Sequence, residues 1–270
     1  MFLKIKQSIK KKFSKQPEQN ACRNVTVLPD DVFLVSYPKS GNTWLRFLIA
    51  NLIYLDRTNV SFSNIEKLVP DIYQNTNKDL LRLSRPRIMK SHEYFDARYS
   101  KVIYIVRDPR DVAVSYYHHL IKAKKINNDY PIDKYIKFFI KGEFHPQFGT
   151  WAENVESWLF SELNQNNFLL LKYEDMLNNS FKQMLDIALF LGLERDNNKI
   201  LKAIEFSSAD NMRRLEKETG WQPSKGDMIK DKLFVRTAKS DNWKTSLSQY
   251  AIEEIENNWR VLMKRLDYLK

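Results

Sequence analysis

Three short apolar runs, each unbroken at its centre, limit the folds open to this chain. They are VFLVS, KVIYIVR and NFLLLKY, at residues 32–36, 101–107 and 167–173. Strand-length runs that do not alternate with polar residues are typical of strands buried on both faces of a parallel sheet. A shorter run at residues 87–90 predicts a fourth strand.

Helical periodicity occupies the intervals between and after these strands. It predicts helices at residues 43–54, 111–121, 155–163, 181–191 and 251–268. The polar residues 56–85 predict a loop with short helical pieces. Strands that alternate with helices indicate an α/β fold, so we predict a central parallel sheet flanked by helices. Ligands of such sheets bind beyond the carboxyl ends of the strands.

The chain is expected to form one domain preceded by a basic arm. Its 270 residues can bury one large core, and no Gly/Ser-rich or Pro-rich linker and no repeat divides them. The net charge is +11, and six lysines precede the first acid, Glu18. We therefore predict a flexible N-terminal arm at residues 1–24 and the folded domain at residues 25–270.

The arm also bears on where the protein acts. Apolar residues stand among its lysines, so it is either a solvated terminus or a peripheral contact with an anionic membrane surface. It lacks the long apolar core of a signal peptide, and no other segment approaches a membrane span. Cys22 is the only cysteine, which excludes an intrachain disulfide and fits a reducing compartment. The sequence predicts a cytoplasmic protein.

The loop after the first strand, SYPKSGNTW at residues 36–44, carries the strongest functional signal. A loop that enters a helix presents unpaired N–H groups and the positive end of the helix dipole, which favour a phosphate or sulfate. Gly41 allows close approach of the backbone, Thr43 can donate a hydroxyl, and Lys39 adds a charge. The nucleotide P-loop pattern does not match, because Lys39 precedes the single glycine.

A second candidate anion site follows the strand at residues 101–107. Arg107 ends this strand, and Ser115 lies two turns into the next helix. Because a guanidinium binds phosphate with two hydrogen bonds, Arg107 and Ser115 could hold one anion together. On these residues alone, caps and ion pairs at a helix start are an equally good interpretation.

Taken together, these segments resemble the PAPS-dependent sulfotransferases of the cytosolic type. YPKSGNTW is similar to the family's P-loop-like phosphosulfate-binding loop, VRDPRDVAVSYYHH to its 3′-phosphate motif, and MKSH to the segment with its catalytic histidine. Weaker similarity occurs at residues 170–176, 206–212 and 235–244. The resemblance implies transfer of a sulfuryl group from 3′-phosphoadenosine 5′-phosphosulfate (PAPS) to a phenol, alcohol or sugar hydroxyl.

The resemblance also implies roles for the matching residues. The catalytic group would comprise Lys39, Lys90 and His92, with Lys39 on the leaving oxygen and His92 as general base. The 5′-phosphate would be enclosed by Ser40, Gly41, Asn42 and Thr43. The 3′-phosphate would be held by Arg107, Ser115 and Arg236. The adenine would lie beside Trp44, Tyr173 and one of the pair Ser207 and Ser208.

Three departures from the family pattern qualify these expectations. The family's Arg-Lys-Gly is Arg236-Thr237-Ala238 here, which removes one charge and one glycine from the 3′-phosphate segment. The aromatic residue after the serine pair is Ala209. The valine of the family's short dimer motif is Gln249, so dimerisation stays open.

Two other classes of protein share some of these features. A nucleotide-dependent kinase would need a P-loop and magnesium ligands, and only the order of the elements supports one. The chain has no HExxH or Cys/His cluster, so no metal site is expected. A nucleic-acid-binding protein would explain the charge of +11. The basic residues nevertheless concentrate in the arm and at the nucleotide-sized motifs, so we expect no nucleic-acid partner.

The acceptor is expected to be a small molecule or a glycan with a free hydroxyl. Residues 54–85, 122–151 and 216–233 would shape its pocket. The aromatic residues expected to line it are Tyr73, Tyr94, Phe95, Phe144, Phe148 and Trp221. Such walls suit a phenol, a steroid-like alcohol or the face of a sugar equally well.

Overall fold

The structure is a computed structural model, which describes residues 20–161, 166–194, 196–220, 229 and 233–270. Its strands are β1 (Val32–Val35), β2 (Ile88–Ser91), β3 (Lys101–Val106) and β4 (Phe168–Lys172). They form one sheet in the order β2-β1-β3-β4, and every neighbouring pair is parallel. The predicted α/β fold is confirmed, and each predicted strand ends within one residue of the observed one.

Helices connect and cover these strands. They are α1 (Asn42–Tyr54), α2 (Ile65–Leu68), α3 (Asn77–Leu81), α4 (Pro109–Lys122), α5 (Ile132–Phe139), α6 (Trp151–Leu159), α7 (Tyr173–Asn178), α8 (Ser180–Leu191), α9 (Asn197–Phe206), α10 (Ala209–Thr219), α11 (Trp243–Ser246) and α12 (Gln249–Arg265). Helices α5, α7, α9, α10 and α11 were not predicted from the sequence.

Helix α6 begins four residues earlier than predicted, because a capping box starts it. The Thr150 hydroxyl accepts a hydrogen bond from the Glu153 N–H, and the Glu153 carboxylate accepts one from the Thr150 N–H. Two otherwise unpaired N–H groups are thereby satisfied at the helix start. The predicted end of this helix, residue 163, lies outside the described residues.

Side chains of the central strands point alternately to two hydrophobic cores. Phe33 and Val35 of β1 face the core built with α4, α5, α6 and α12. Leu34 faces the opposite core, which α1, α8 and α9 complete. Since both faces of the sheet are covered by helices, the strands need no polar face, and this explains their unbroken apolar runs.

The described chain enters this domain at Asn20. Ala21 is buried, and the N–H groups of Ala21 and Cys22 donate to the carbonyls of Asn75 and Ile72. Ala21 and Cys22, which were assigned to the basic arm, are therefore hydrogen-bonded to the domain, while the boundary after residue 24 stays a prediction. Among the described residues, no helix combines the length and the apolar character needed to cross a bilayer.

The carboxyl ends of the four strands meet at one edge of the sheet. Val35 is paired with both Ser91 and Tyr104, and Val106 is paired with Lys172. β1 lies between β2 and β3, so β2 is added on one side of β1 and the next strand, β3, on the other side. Such a switch point opens a crevice in which ligands of α/β proteins bind.

Candidate active site

The loop between β1 and α1 places residues 39–41 at the crevice. Lys39 and Gly41 both have left-handed backbones, with φ of 71° and 102°. Gly41 is the N-cap residue of α1, and no side chain caps this helix start. Asn42 is buried, and its amide donates back to the carbonyl of Leu34 and to the Ser36 hydroxyl. The loop is therefore held to β1, with the N-terminus of α1 directed to the crevice.

Gly41 lies directly against the ring of Tyr173, the first residue of α7. A Cβ atom at Gly41 would be 2.6 Å from Cδ2 of Tyr173. Trp44 meets the same ring edge to face, with 5.6 Å between the ring centroids. Tyr173 and Trp44, both predicted beside the adenine, are thus brought together at the foot of the loop.

Replacing Gly41 with alanine is expected to weaken PAP (3′,5′-bisphosphoadenosine) binding at least about tenfold, because the new methyl group must displace Tyr173. The left-handed backbone adds about 1–2 kcal/mol of strain. Gly192→Ala is the matched control, since Gly192 is also left-handed, with φ 71°, and no atom lies within 4 Å of its added Cβ. Calorimetric titration should show normal PAP affinity in the control; equal losses in both variants would contradict the contact with Tyr173.

Arg107 also contacts the Tyr173 ring. Its guanidinium carbon is 4.2 Å from the ring centroid, and Nη2 donates to the carbonyl of Lys239 at 3.0 Å. Its Nε, like the Oγ of Ser40, is buried without a hydrogen-bond partner among the described residues. Buried polar atoms are nearly always satisfied. Arg107 and Ser40 therefore fit a ligand that brings acceptor oxygens into the crevice.

Positive charge accumulates around Lys39. Burial, reinforced by the neighbouring charges of Lys90 and Arg107, lowers the pKa of the Lys39 ammonium to about 7. Burial and Arg107 also lower the pKa of Arg236. A small cavity of about 30 Å³ is lined by Lys39, Ser115, His118, His119, Lys122, Leu233, Phe234 and Arg236. Such convergence of cations is suited to a polyanion.

Two carboxylates of low exposure hold the segment at residues 233–243 over this cavity. Glu216 accepts hydrogen bonds from the N–H groups of Phe234 and Val235 and pairs with Lys122 at 3.1 Å. Asp111 accepts from the N–H groups of Asp241 and Trp243. The Phe234 ring consequently lies 4.1 Å from the Nζ of Lys39. Neither Glu216 nor Phe234 was singled out from the sequence.

His92 follows β2 directly and is oriented by its Nδ1 atom. This nitrogen lies 2.7 Å from the carbonyl oxygen of Ser36. A carbonyl can only accept, so Nδ1 carries the proton and Nε2 keeps a lone pair. Burial first, and then the charge of Lys90, lower the pKa of His92, while Asp71 opposes them. The imidazole is therefore neutral at pH 7 and able to accept a proton at Nε2.

Two of the aromatic residues predicted to line the acceptor pocket, Tyr73 and Phe148, pack beside His92. Tyr73 is nearly parallel to the imidazole at 6.0 Å, and Phe148 meets it edge on at 5.5 Å. Two other predicted wall residues pack elsewhere, Phe95 against Trp158 and Phe144 against Tyr135. Trp221 lies outside the described residues, and Tyr94 faces Gly149.

Two predicted adenine contacts have other partners. Ser207 is fully buried, and its hydroxyl accepts from the side-chain amide of Asn51 on α1. Ser208 is the N-cap of α10, where its hydroxyl accepts from the Asn211 N–H. Ser207 therefore joins the end of α9 to α1, Ser208 caps α10, and a place for either beside adenine stays a prediction. Within the described part of the chain, no group of three or more His, Cys, Asp or Glu residues could hold a metal ion.

Comparison with known proteins identifies the family. A family model of the sulfotransferase domain matches residues 29–267. Cytosolic sulfotransferase 12 of Arabidopsis thaliana is 32% identical over 84% of this chain and 75% of its own length. Sulfotransferase 2A2 of Rattus norvegicus is 28% identical over 86% of this chain and 84% of its own length. The crystal structure of mouse sulfotransferase SULT7A1 complexed with PAP shares the fold, with a TM-score of 0.70 at 23% identity over 92% of this chain and 88% of that one. This chain therefore belongs to the sulfotransferase family.

Proposed function

We propose that the protein transfers a sulfuryl group from PAPS to the hydroxyl of a small molecule or glycan. This proposal is based on the arrangement of charged and basic side chains at the carboxyl ends of the strands. There Lys39, Arg107 and Arg236 converge, with Arg107 also 3.7 Å from the Asp111 carboxylate, next to a neutral imidazole with its Nε2 lone pair available. A polyanionic donor fits the cations, and an acceptor with a hydroxyl proton fits the imidazole.

The donor would be bound by groups on both sides of Gly41. The Arg107 Nε and the Ser40 hydroxyl, each buried and unsatisfied within the described chain, would donate to phosphate oxygens. Ser115 and Arg236 line the cavity with Lys39 and would complete the 3′-phosphate site. Thr43 and the N-terminus of α1 would bind the 5′-phosphate.

Bound PAPS supplies an activated sulfuryl group, whose bond to the phosphate oxygen breaks as the acceptor oxygen attaches. The Lys39 ammonium stabilises negative charge on the leaving oxygen. His92 accepts the acceptor's proton at Nε2, while the Ser36 carbonyl holds Nδ1–H and so fixes the tautomer. Positioning and charge stabilisation thus account for the reaction, as in phosphoryl transfer.

Nucleotide binding gives the first test of this function. PAP is expected to raise the melting temperature, because at a hundred times its dissociation constant a ligand of the native state adds about 2.7 kcal/mol. AMP should do so far less, since it lacks the 3′-phosphate. Arg107→Ala should abolish most of the difference between the two nucleotides.

The matched control is Arg214→Ala, which removes an exposed arginine that pairs with Glu218 on α10. This control should keep the preference for PAP. Equal stabilisation of the unsubstituted protein by PAP and AMP would contradict a 3′-phosphate site.

A further inference from the structure

Lys90 and His92 share a support that lies outside the recognised motifs. The segment at residues 70–73 runs beside β2, where Lys90 N–H donates to the Pro70 carbonyl and Ile72 N–H donates to the Lys90 carbonyl. These bonds place two side chains of the segment, Asp71 and Tyr73, at the end of β2. One reaches Lys90 and the other reaches His92.

The Asp71 carboxylate contacts the ammonium of Lys90. Oδ2 lies 2.5 Å from Nζ, and the two side chains are 3% and 14% exposed. Oδ1 accepts from the Tyr73 N–H at 2.9 Å, which fixes the carboxylate in place. Burial alone would raise the pKa of Asp71, but Lys90 and Arg46 lower it to about 2. Asp71 is therefore an anion at neutral pH.

Tyr73 holds the neighbouring His92. Its hydroxyl accepts from the His92 N–H at 2.9 Å and donates to Glu93 Oε1 at 3.1 Å, while its ring stacks on the imidazole. Asp71 and Tyr73 are therefore coupled to each other and each to one residue of the proposed catalytic group. Each of these bonds connects residues that are 19 positions apart in the chain, and the bond to His92 is made by its backbone N–H.

We propose that Asp71 is a positioning residue for sulfuryl transfer, which holds the Lys90 ammonium at the end of β2 and balances its charge beside His92 and Lys39. This inference rests on the proposed function. It adds that the anion-binding site contains a carboxylate, Asp71, whose negative charge by itself weakens binding of the anionic donor. Asp71 thus lowers the affinity for the nucleotide while it holds Lys90 in place.

This trade makes the effect of Asp71→Asn distinctive. Removing one negative charge next to converging cations should tighten PAP binding by about threefold or more, because an opposing charge is lost at short range. Turnover should fall about tenfold or more, since Lys90 is no longer held in one geometry. A purely structural defect would weaken both.

Asp31→Asn is the matched control. Asp31 is another fully buried acid, and it pairs with Arg87 just before β2, at the opposite end of the sheet. It should lower the melting temperature without tightening PAP binding. Calorimetric titration with PAP measures affinity, and labelled PAPS with 2-naphthol, a 3β-hydroxysteroid or glucose as probe acceptor measures turnover.

A double-mutant cycle with Lys90→Met tests whether Asp71 acts through Lys90. The double variant removes both charges, so it leaves no buried ion unpaired, and its folding is checked by its melting temperature. Its turnover should equal that of Lys90→Met alone. Independent, multiplicative losses, or weaker PAP binding in Asp71→Asn, would overturn the role of Asp71 while leaving the proposed function intact. Absence of PAP binding and of transfer in the unsubstituted protein would overturn both.

Discussion

Replacing Lys39 with methionine is expected to lower kcat by about a hundredfold or more while PAP affinity falls less than about tenfold. The ammonium lies in the loop at the foot of α1, where burial and neighbouring cations already disfavour its charge. Its interaction therefore gains most when negative charge develops on the leaving oxygen. Steady-state kinetics with labelled PAPS and calorimetric titration with PAP separate the two effects. Equal losses in kcat and in PAP affinity would assign Lys39 to binding alone.

A proton balance gives an independent check on Lys39. The free protein has a Lys39 pKa of about 7, and a bound polyanion raises it, so binding takes up a proton above pH 7. Below pH 7 Lys39 is already charged and contributes no such dependence. PAP affinity should therefore fall as pH rises from 7 to 9. The methionine variant should lose this slope, and persistence of the slope would contradict the lowered pKa.

Replacing His92 with asparagine is expected to lower turnover of an aliphatic alcohol by about a hundred- to ten-thousandfold. The asparagine amide can still donate to the Ser36 carbonyl, as Nδ1 does now, but it offers no base in place of Nε2. An acidic phenol, already partly ionised, should lose much less. PAP should bind normally, which provides the folding control. Near-full activity on the alcohol would show that another group accepts the proton.

The dependence of turnover on pH should also report the role of His92 as the base. Because burial and Lys90 lower the pKa of His92, its acid limb should lie well below pH 6.5, the ordinary value for histidine. Turnover of the alcohol should thus not change through ionisation of His92 between pH 6.5 and 8. The acid limb should disappear in the asparagine variant. A limb near pH 6.5 that survives the substitution would assign it to another group.

The strands and their order along the chain were predictable because their signal is local. An unbroken apolar run such as that of β3 needs no knowledge of its neighbours, and the motifs stand directly after β1, β2 and β3. Helices α9 and α10 were missed, although Asp196 and Ser208 cap their first turns. Each buries only a narrow stripe against the domain, Ile200 and Ala203 in α9 and Met212 and Glu216 in α10.

The supporting residues of the site could not be found in this way. Asp71 reaches Lys90 across 19 residues, and Glu216 reaches Lys122 across 94. Neither acid stands in a periodic pattern, and only the folded chain brings each one to its cation. The partners of Ser207 and Ser208 were likewise not readable from the sequence, because the Ser207 hydroxyl accepts from Asn51 far along the chain, while Ser208 caps α10.

Mass spectrometry of acceptors incubated with the protein and PAPS tests the central claim most directly. The panel contains 2-naphthol, a 3β-hydroxysteroid and glucose, each at neutral pH and with the His92→Asn variant in parallel. We expect at least one acceptor to gain the mass of one sulfuryl group while PAP accumulates in equal amount, and the aliphatic acceptors to lose this gain in the variant. PAP formed without any sulfated acceptor, or equal sulfation of an aliphatic acceptor by both proteins, would contradict transfer to a hydroxyl deprotonated by His92.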